Sequence, residues 1–128
     1  MPQDRESGAE ANRFGRECGE RMIAVLGGKK VKAGSNEFTL NGKLLSIHCA
    51  RPRTTRVGVT RLALERIDAV LGAFQQADGS FQILQLPADQ FSKYSTPTRS
   101  RGPAADRVLL APRSVFEQYG QLIKVIHD

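Results

Sequence analysis

Asn41-Gly42, set between two runs of alternating apolar residues, constrains this chain more than any other pair. A two-residue type I′ turn needs positive φ at both central positions, which asparagine and glycine tolerate best, so the pair predicts a tight β-hairpin over about residues 36–50. With a loop of two residues the register follows by counting outward: Leu40 faces Lys43, Phe38 faces Leu45, and Glu37 faces Ser46. His48 lies two positions beyond Ser46 on the same face, because strand side chains alternate with period two. Phe38, Leu45, Ile47 and Cys49 take the other face, the expected core. Glu37, Ser46 and His48 are then expected to project together from a rigid sheet.

Around the hairpin, periodicity supplies the other elements. Phe14, Cys18, Met22, Val25 and Leu26 recur at helical spacing, predicting an amphipathic helix over 11–26 closed by Gly27-Gly28. Residues 1–9 are polar and are expected to form a flexible tail. Pro52 breaks the second hairpin strand, and Thr60 reads as the N-cap of a short helix reaching Arg66. Ala77-Asp78-Gly79 is a turn signal, so Ala69–Gln75 and Phe81–Leu86 are expected to form a second hairpin. Residues 87–112 hold four prolines and read as an extended segment, with 92–107 a mobile loop and a short strand at Val108–Leu110. Ser114-x-x-Glu117 reads as a capping box opening a C-terminal helix with Val115, Phe116, Tyr119, Leu122, Ile123 and Ile126 on its apolar face.

A chain of 128 residues, 40% hydrophobic and 25% charged, is expected to form one domain spanning 1–128. No apolar run reaches the length of a membrane span and the N-terminus lacks a signal-peptide segment, so a cytoplasmic protein is expected. Cys18 and Cys49 fall on expected core faces, which suits buried reduced thiols better than a disulfide or a zinc site. Nineteen Lys and Arg against thirteen Asp and Glu give a net charge of +6. The excess is clustered at Lys29, Lys30 and Lys32, at Arg51, Arg53, Arg56, Arg61 and Arg66, and near the C-terminus at Arg99, Arg101, Arg107 and Arg113. Clustered cations are the footprint of a polyanion partner, and the bias toward arginine favours bidentate phosphate contact. The bland alternative is a solvated basic surface.

Gly19-Glu20-x-x-x-Ala24 in the first helix, Glu37 and Ser46-Ile47-His48 on the hairpin, Ile47-x-x-Ala50-Arg51 behind them and Asp68 entering the next strand carry a further pattern. Over about residues 14–91 it resembles the PD-(D/E)XK nuclease superfamily, which includes restriction-endonuclease-like and Holliday-junction-resolvase-like proteins. The resemblance implies an α/β (α+β) fold: a central mixed sheet of four to five strands flanked by an N-terminal and a C-terminal helix. It implies a site of Glu37, Ser46, His48 and Glu20, with Glu37 and Glu20 as ligands for Mg²⁺ or Mn²⁺. In the family an aspartate stands at the place of Glu37, and an acid and a lysine at the places of Ser46 and His48. The two replacements remove a charged ligand and a fixed cation. His48 could still serve as a general base, or as a ligand to Mn²⁺ or Zn²⁺. Each of these residues also has a plain structural reading, as a solvent-facing polar pair, a structural histidine and a solvated helix glutamate.

Three functions are compatible with this sequence. One is a nucleic-acid-binding protein, DNA ahead of RNA, with a nuclease-like fold and a degenerate catalytic motif, needing no cofactor. It would grip phosphates through Arg51, Arg53, Arg56, Lys29, Lys30 and Lys32. A second is an active metal-dependent endonuclease with a variant Glu/His site. The third is a small non-enzymatic interaction protein, phage- or defence-related, with a basic surface. A homodimer is compatible with all three, and no membrane partner is expected. No helix-turn-helix, zinc finger or RNA-binding aromatic motif is recognised.

Overall fold

The computed structural model describes residues 5–33, 35–98 and 107–127. Its elements are α1 (Arg5–Leu26), β1 (Lys29–Lys30), β2 (Glu37–Leu40), β3 (Lys43–Ala50), β4 (Arg56–Thr60), α2 (Arg61–Arg66), β5 (Ala69–Gln75), β6 (Phe81–Pro87), α3 (Ala88–Tyr94), β7 (Thr96–Pro97), β8 (Val108–Pro112), α4 (Arg113–Tyr119) and β9 (Gln121–Ile126). The turn between β2 and β3 has φ 52° at Asn41 and 79° at Gly42, as a type I′ turn requires. The register is the one counted from the turn: Leu40 opposite Lys43, Phe38 opposite Leu45, Glu37 opposite Ser46. Helix α1 starts at Arg5, six residues before the periodicity places it. It ends where Gly27, at φ 78°, bonds to the Ala24 carbonyl and Gly28 to the Ile23 carbonyl, a left-handed C-terminal closure that a side chain at Gly27 would strain.

Six strands form a mixed sheet in the order β1-β2-β3-β5-β6-β9, one more than the highest count expected. β3 and β5 run parallel, with Ser46 beside Val70, His48 beside Gly72 and Ala50 beside Phe74. The other pairings are antiparallel, including the expected hairpin of β5 with β6. A second sheet, β4-β8-β7, and the helices α2–α4 cover one face of the large sheet, and α1 covers the other. Alternation along β5 divides the two cores. Val70 and Phe74 point toward Val57, Val59, Phe91, Leu109 and Phe116, whereas Leu71 and Ala73 meet Met22, Phe38 and Ile47 under α1. Phe74, Phe91 and Phe116 are fully buried, with edge-to-face contacts centred on Phe116 at 5.3 and 6.0 Å.

Burial on both faces corrects one expectation. The face carrying Ser46 is not solvent-facing: Ser46 is 1% exposed. Helix α2 is as expected, with the Thr60 hydroxyl accepting from the Ala63 N–H at 3.1 Å. The proline-rich segment is more ordered than its composition suggests, since 88–94 is helix α3 and β8 covers Val108–Pro112. Residues 99–106 of the expected loop, and 1–4 of the expected tail, lie outside the described residues.

The expected long C-terminal helix is a helix followed by a strand. Pro112 occupies the N-cap position without a side-chain cap, so Ser114 and Glu117 form no capping box, and Glu117 instead pairs with Arg113 at 3.4 Å. At Gly120 a Cβ would stand 2.4 Å from the Phe116 carbonyl oxygen and 3.0 Å from that of Gln85. Only glycine lets the chain pass this close to β6, and Gln121–Ile126, with three β-branched residues, continues as an edge strand. Tyr119 and Leu122, expected on a buried helical face, are exposed.

Candidate functional site

The hairpin places Glu37, Ser46 and His48 on one face, and packing then gives each a partner. Arg66, from the end of α2, donates from Nη2 to Glu37 Oε2 at 2.6 Å and from Nη1 to the Leu62 carbonyl at 3.2 Å. The Glu37 side chain keeps only 16% of its exposure, so this charge-assisted contact occupies the carboxylate that was expected to face an open site. Arg66 was legible in the sequence only as one more cation of the basic cluster.

His48 is held on both ring nitrogens. Its Nε2 lies 3.1 Å from Ser46 Oγ, and its Nδ1 lies 3.4 Å from Asn36 Nδ2. Asn36 also donates from Nδ2 to the Ile47 carbonyl at 3.1 Å, just beyond the end of β2. Since an amide nitrogen only donates, the network assigns Nδ1 as acceptor and puts the ring proton on Nε2, directed at Ser46. Burial lowers the His48 pKa to about 4, so the imidazole is neutral near pH 7. Asn36 was not singled out in the sequence. Its place one residue before a strand carries no distinctive signal, and its role depends on the register.

Glu20 belongs to the other side of the sheet. Lys30 donates from Nζ to Glu20 Oε1 at 2.8 Å, and that hydrogen bond together with the lysine charge holds the Glu20 carboxyl below its ordinary range. Lys30 pairs with Phe38, so both point toward α1, whereas Glu37 alternates to the opposite face. The structure therefore brings Glu37, Ser46 and His48 onto one face and keeps Glu20 on the α1 side, away from Glu37, where it lines a cavity that His48 also borders. Asp68 accepts the Leu44 N–H at 2.9 Å, which fixes the entry to β5.

This donor set does not fit the Mg²⁺ or Mn²⁺ centre that the sequence resemblance implies. Such ions need several hard oxygens converging in one shell. Glu37 is engaged by Arg66, Glu20 by Lys30, and the sheet lies between the two carboxylates. Among the described residues, no three His, Cys, Asp or Glu side chains are grouped to hold a metal. His48 has both ring nitrogens engaged, by Ser46 and by Asn36.

The basic residues are organised differently. β1 and β3 both run antiparallel to β2, so they point the same way, and Lys32 and Arg51 leave the sheet at one end. At that end Arg51 stacks over the Phe14 ring of α1 at 4.5 Å. Arg53 follows on the connector and Arg56 opens β4, and all three arginines and Lys32 are exposed. Over residues 38–64 there is no Asp or Glu, while Lys43, Arg51, Arg53, Arg56 and Arg61 are present. Among the described residues neither Arg53 nor Arg56 forms an ion pair. A cavity of about 320 Å³ opens beside this end between α1 and the hairpin, lined by Arg16, Glu20, Lys30, Asn36 and His48 among others.

No family model matches the chain, and no curated protein matches it. Among solved structures it is similar to Hjc, a Holliday junction resolvase from the archaeal hyperthermophile Archaeoglobus fulgidus. The TM-score is 0.48 at 13% identity, over 84% of this chain and 91% of that one. Chemistry at the site is set by the chain's own residues. No helix among the described residues is long and apolar enough to cross a membrane.

Proposed function

We propose that this protein binds the phosphate backbone of DNA through the basic end of its large sheet and acts without the catalytic centre of a nuclease. The observation that carries this reading is the acid-free run from Phe38 to Leu64, whose exposed Arg51 and Arg53 lie on the connector after β3 and whose exposed Arg56 opens β4. Parallel β1 and β3 bring Lys32 to the same end of the sheet. Exposed guanidinium groups in such a place neutralise phosphates and release counterions, which gives affinity and orientation without reading bases. The engaged carboxylates of Glu37 and Glu20 support binding over hydrolysis.

Fluorescence anisotropy with two labelled duplexes of unrelated sequence tests the proposal at low salt. Both duplexes should bind with similar affinity, and the Arg53→Ala/Arg56→Ala double variant should bind both more weakly by the same factor. Failure of the wild-type protein to bind either duplex would refute the reading. A variant that binds as tightly as wild type would remove the connector from the interface.

A further inference from the structure

Helix α1 carries two glycines one turn apart, Gly15 and Gly19, where it borders the cavity of about 320 Å³ beside the hairpin. Glycine inside a helix costs stability relative to alanine. Close packing does not require either one. A Cβ at Gly15 would meet no atom within 4 Å, and one at Gly19 only Ile47 Cγ2 at 3.7 Å. Their effect is to strip side chains from one face of the helix and leave the space beside it open.

The walls of that space are mixed. Ile23 and Ile47 supply apolar surface, and Ser35, Asn36, Glu20 and Lys30 supply donors and acceptors. Both hydrogen bonds described for Asn36 use Nδ2, which leaves Oδ1 as an acceptor. Lys30 and Glu20 neutralise each other at 2.8 Å. A phosphate entering here would meet the Glu20 carboxylate and a lysine already paired, so the cavity suits a neutral group with apolar faces and a hydrogen-bonding edge. A nucleobase is such a group. The exposed cations stand at the mouth. Ser35 donates its backbone N–H to the Lys32 carbonyl at 3.3 Å, and Arg51 stacks at 4.5 Å over Phe14, the residue before Gly15. We propose that this cavity receives a single unstacked nucleobase from DNA held at the basic end of the sheet, an inference that rests on the DNA-binding reading above. The phosphates stay with the arginines, while one base leaves the stack, lays its face against Ile23 and Ile47 and turns its polar edge to Ser35 and Asn36. A base already outside the stack enters without the cost of unpairing, so bulged or single-stranded positions are favoured.

Fluorescence anisotropy tests this with two duplexes of one sequence, one carrying a single bulged adenosine and the other an abasic bulge at the same place. Wild type should bind the bulged adenosine about ten-fold more tightly than the abasic bulge. Equal affinity for the two would overturn the proposal, and this comparison decides even if a variant fails to fold. Gly15→Leu introduces a good helix former whose Cβ meets no neighbour and whose side chain fills the space, so the ratio should fall to about one. An unchanged ratio in the folded variant would overturn the assignment to this cavity. Deoxyadenosine, which carries no phosphate, gives an arm independent of the phosphate grip. Saturation-transfer NMR should show transfer from the wild-type protein to the base protons, and none from Gly15→Leu. Absence of transfer from a wild-type protein that binds both duplexes would overturn the base site and leave the grip standing. Transfer from a protein that binds neither duplex would refute the grip and make the free nucleoside, not DNA, the source of the base.

Discussion

His48 gives a prediction whose size follows from its surroundings. In the folded chain burial lowers its pKa to about 4 from an ordinary value of 6.5. As pH falls below 6.5 the unfolded chain takes up a proton that the folded chain refuses, so stability declines until the folded pKa is reached. At 1.36 kcal/mol per unit, the whole difference is on the order of 3 kcal/mol, with about 2 kcal/mol of it lost between pH 8 and pH 5. The network explains why the folded state resists protonation. A proton on Nδ1 would face the donating amide of Asn36, while Nε2 already directs its proton at Ser46. Urea unfolding at pH 8 and pH 5 should show wild type losing about 2 kcal/mol more than His48→Gln over this interval. Carboxylate titrations are common to both proteins and cancel in the comparison. Equal losses in the two proteins would refute the assignment of His48 as a half-buried, neutral imidazole.

Other positions give sharper structural tests. A Cβ at Gly72 would stand 2.5 and 2.6 Å from Phe74 ring carbons and 3.3 Å from Phe116, so Gly72→Ala should lower unfolding free energy by about 1–3 kcal/mol in chemical denaturation. Thr60→Ala removes the α2 cap and should cost about 1 kcal/mol in the same assay. Supercoiled plasmid incubated with Mg²⁺ or Mn²⁺ should remain uncut by the wild-type protein. Nicking that disappears in Glu37→Gln would contradict the binding-only reading.

Local signals and the order of elements were more legible than the partners of the site residues. Asn41-Gly42 fixed a register that the structure reproduces pair by pair, because a two-residue loop leaves no freedom in the count. The Thr60 cap and the Ala69–Pro87 hairpin were equally local. The C-terminal segment misled because Phe116, Tyr119, Leu122, Ile123 and Ile126 satisfy a helical period, while Gly120 must pass close to β6. Tertiary contact overrode periodicity there. At the site, alternation put Glu37, Ser46 and His48 on one face, but whether that face met water depended on the second sheet, whose strands β4 and β8 lie far apart in sequence. The Arg66–Glu37 and Lys30–Glu20 pairs likewise join residues separated by 29 and 10 positions. No local pattern signals contacts of that kind.

The salt dependence of duplex binding tests the central claim most directly. Neutralising a phosphate contributes about 0.9 to the slope of log affinity against log salt concentration. The triple variant Arg51→Ala/Arg53→Ala/Arg56→Ala should therefore have a slope smaller in magnitude than wild type by about 2–3. An identical slope in the two proteins, or wild-type binding that does not respond to salt, would contradict the account.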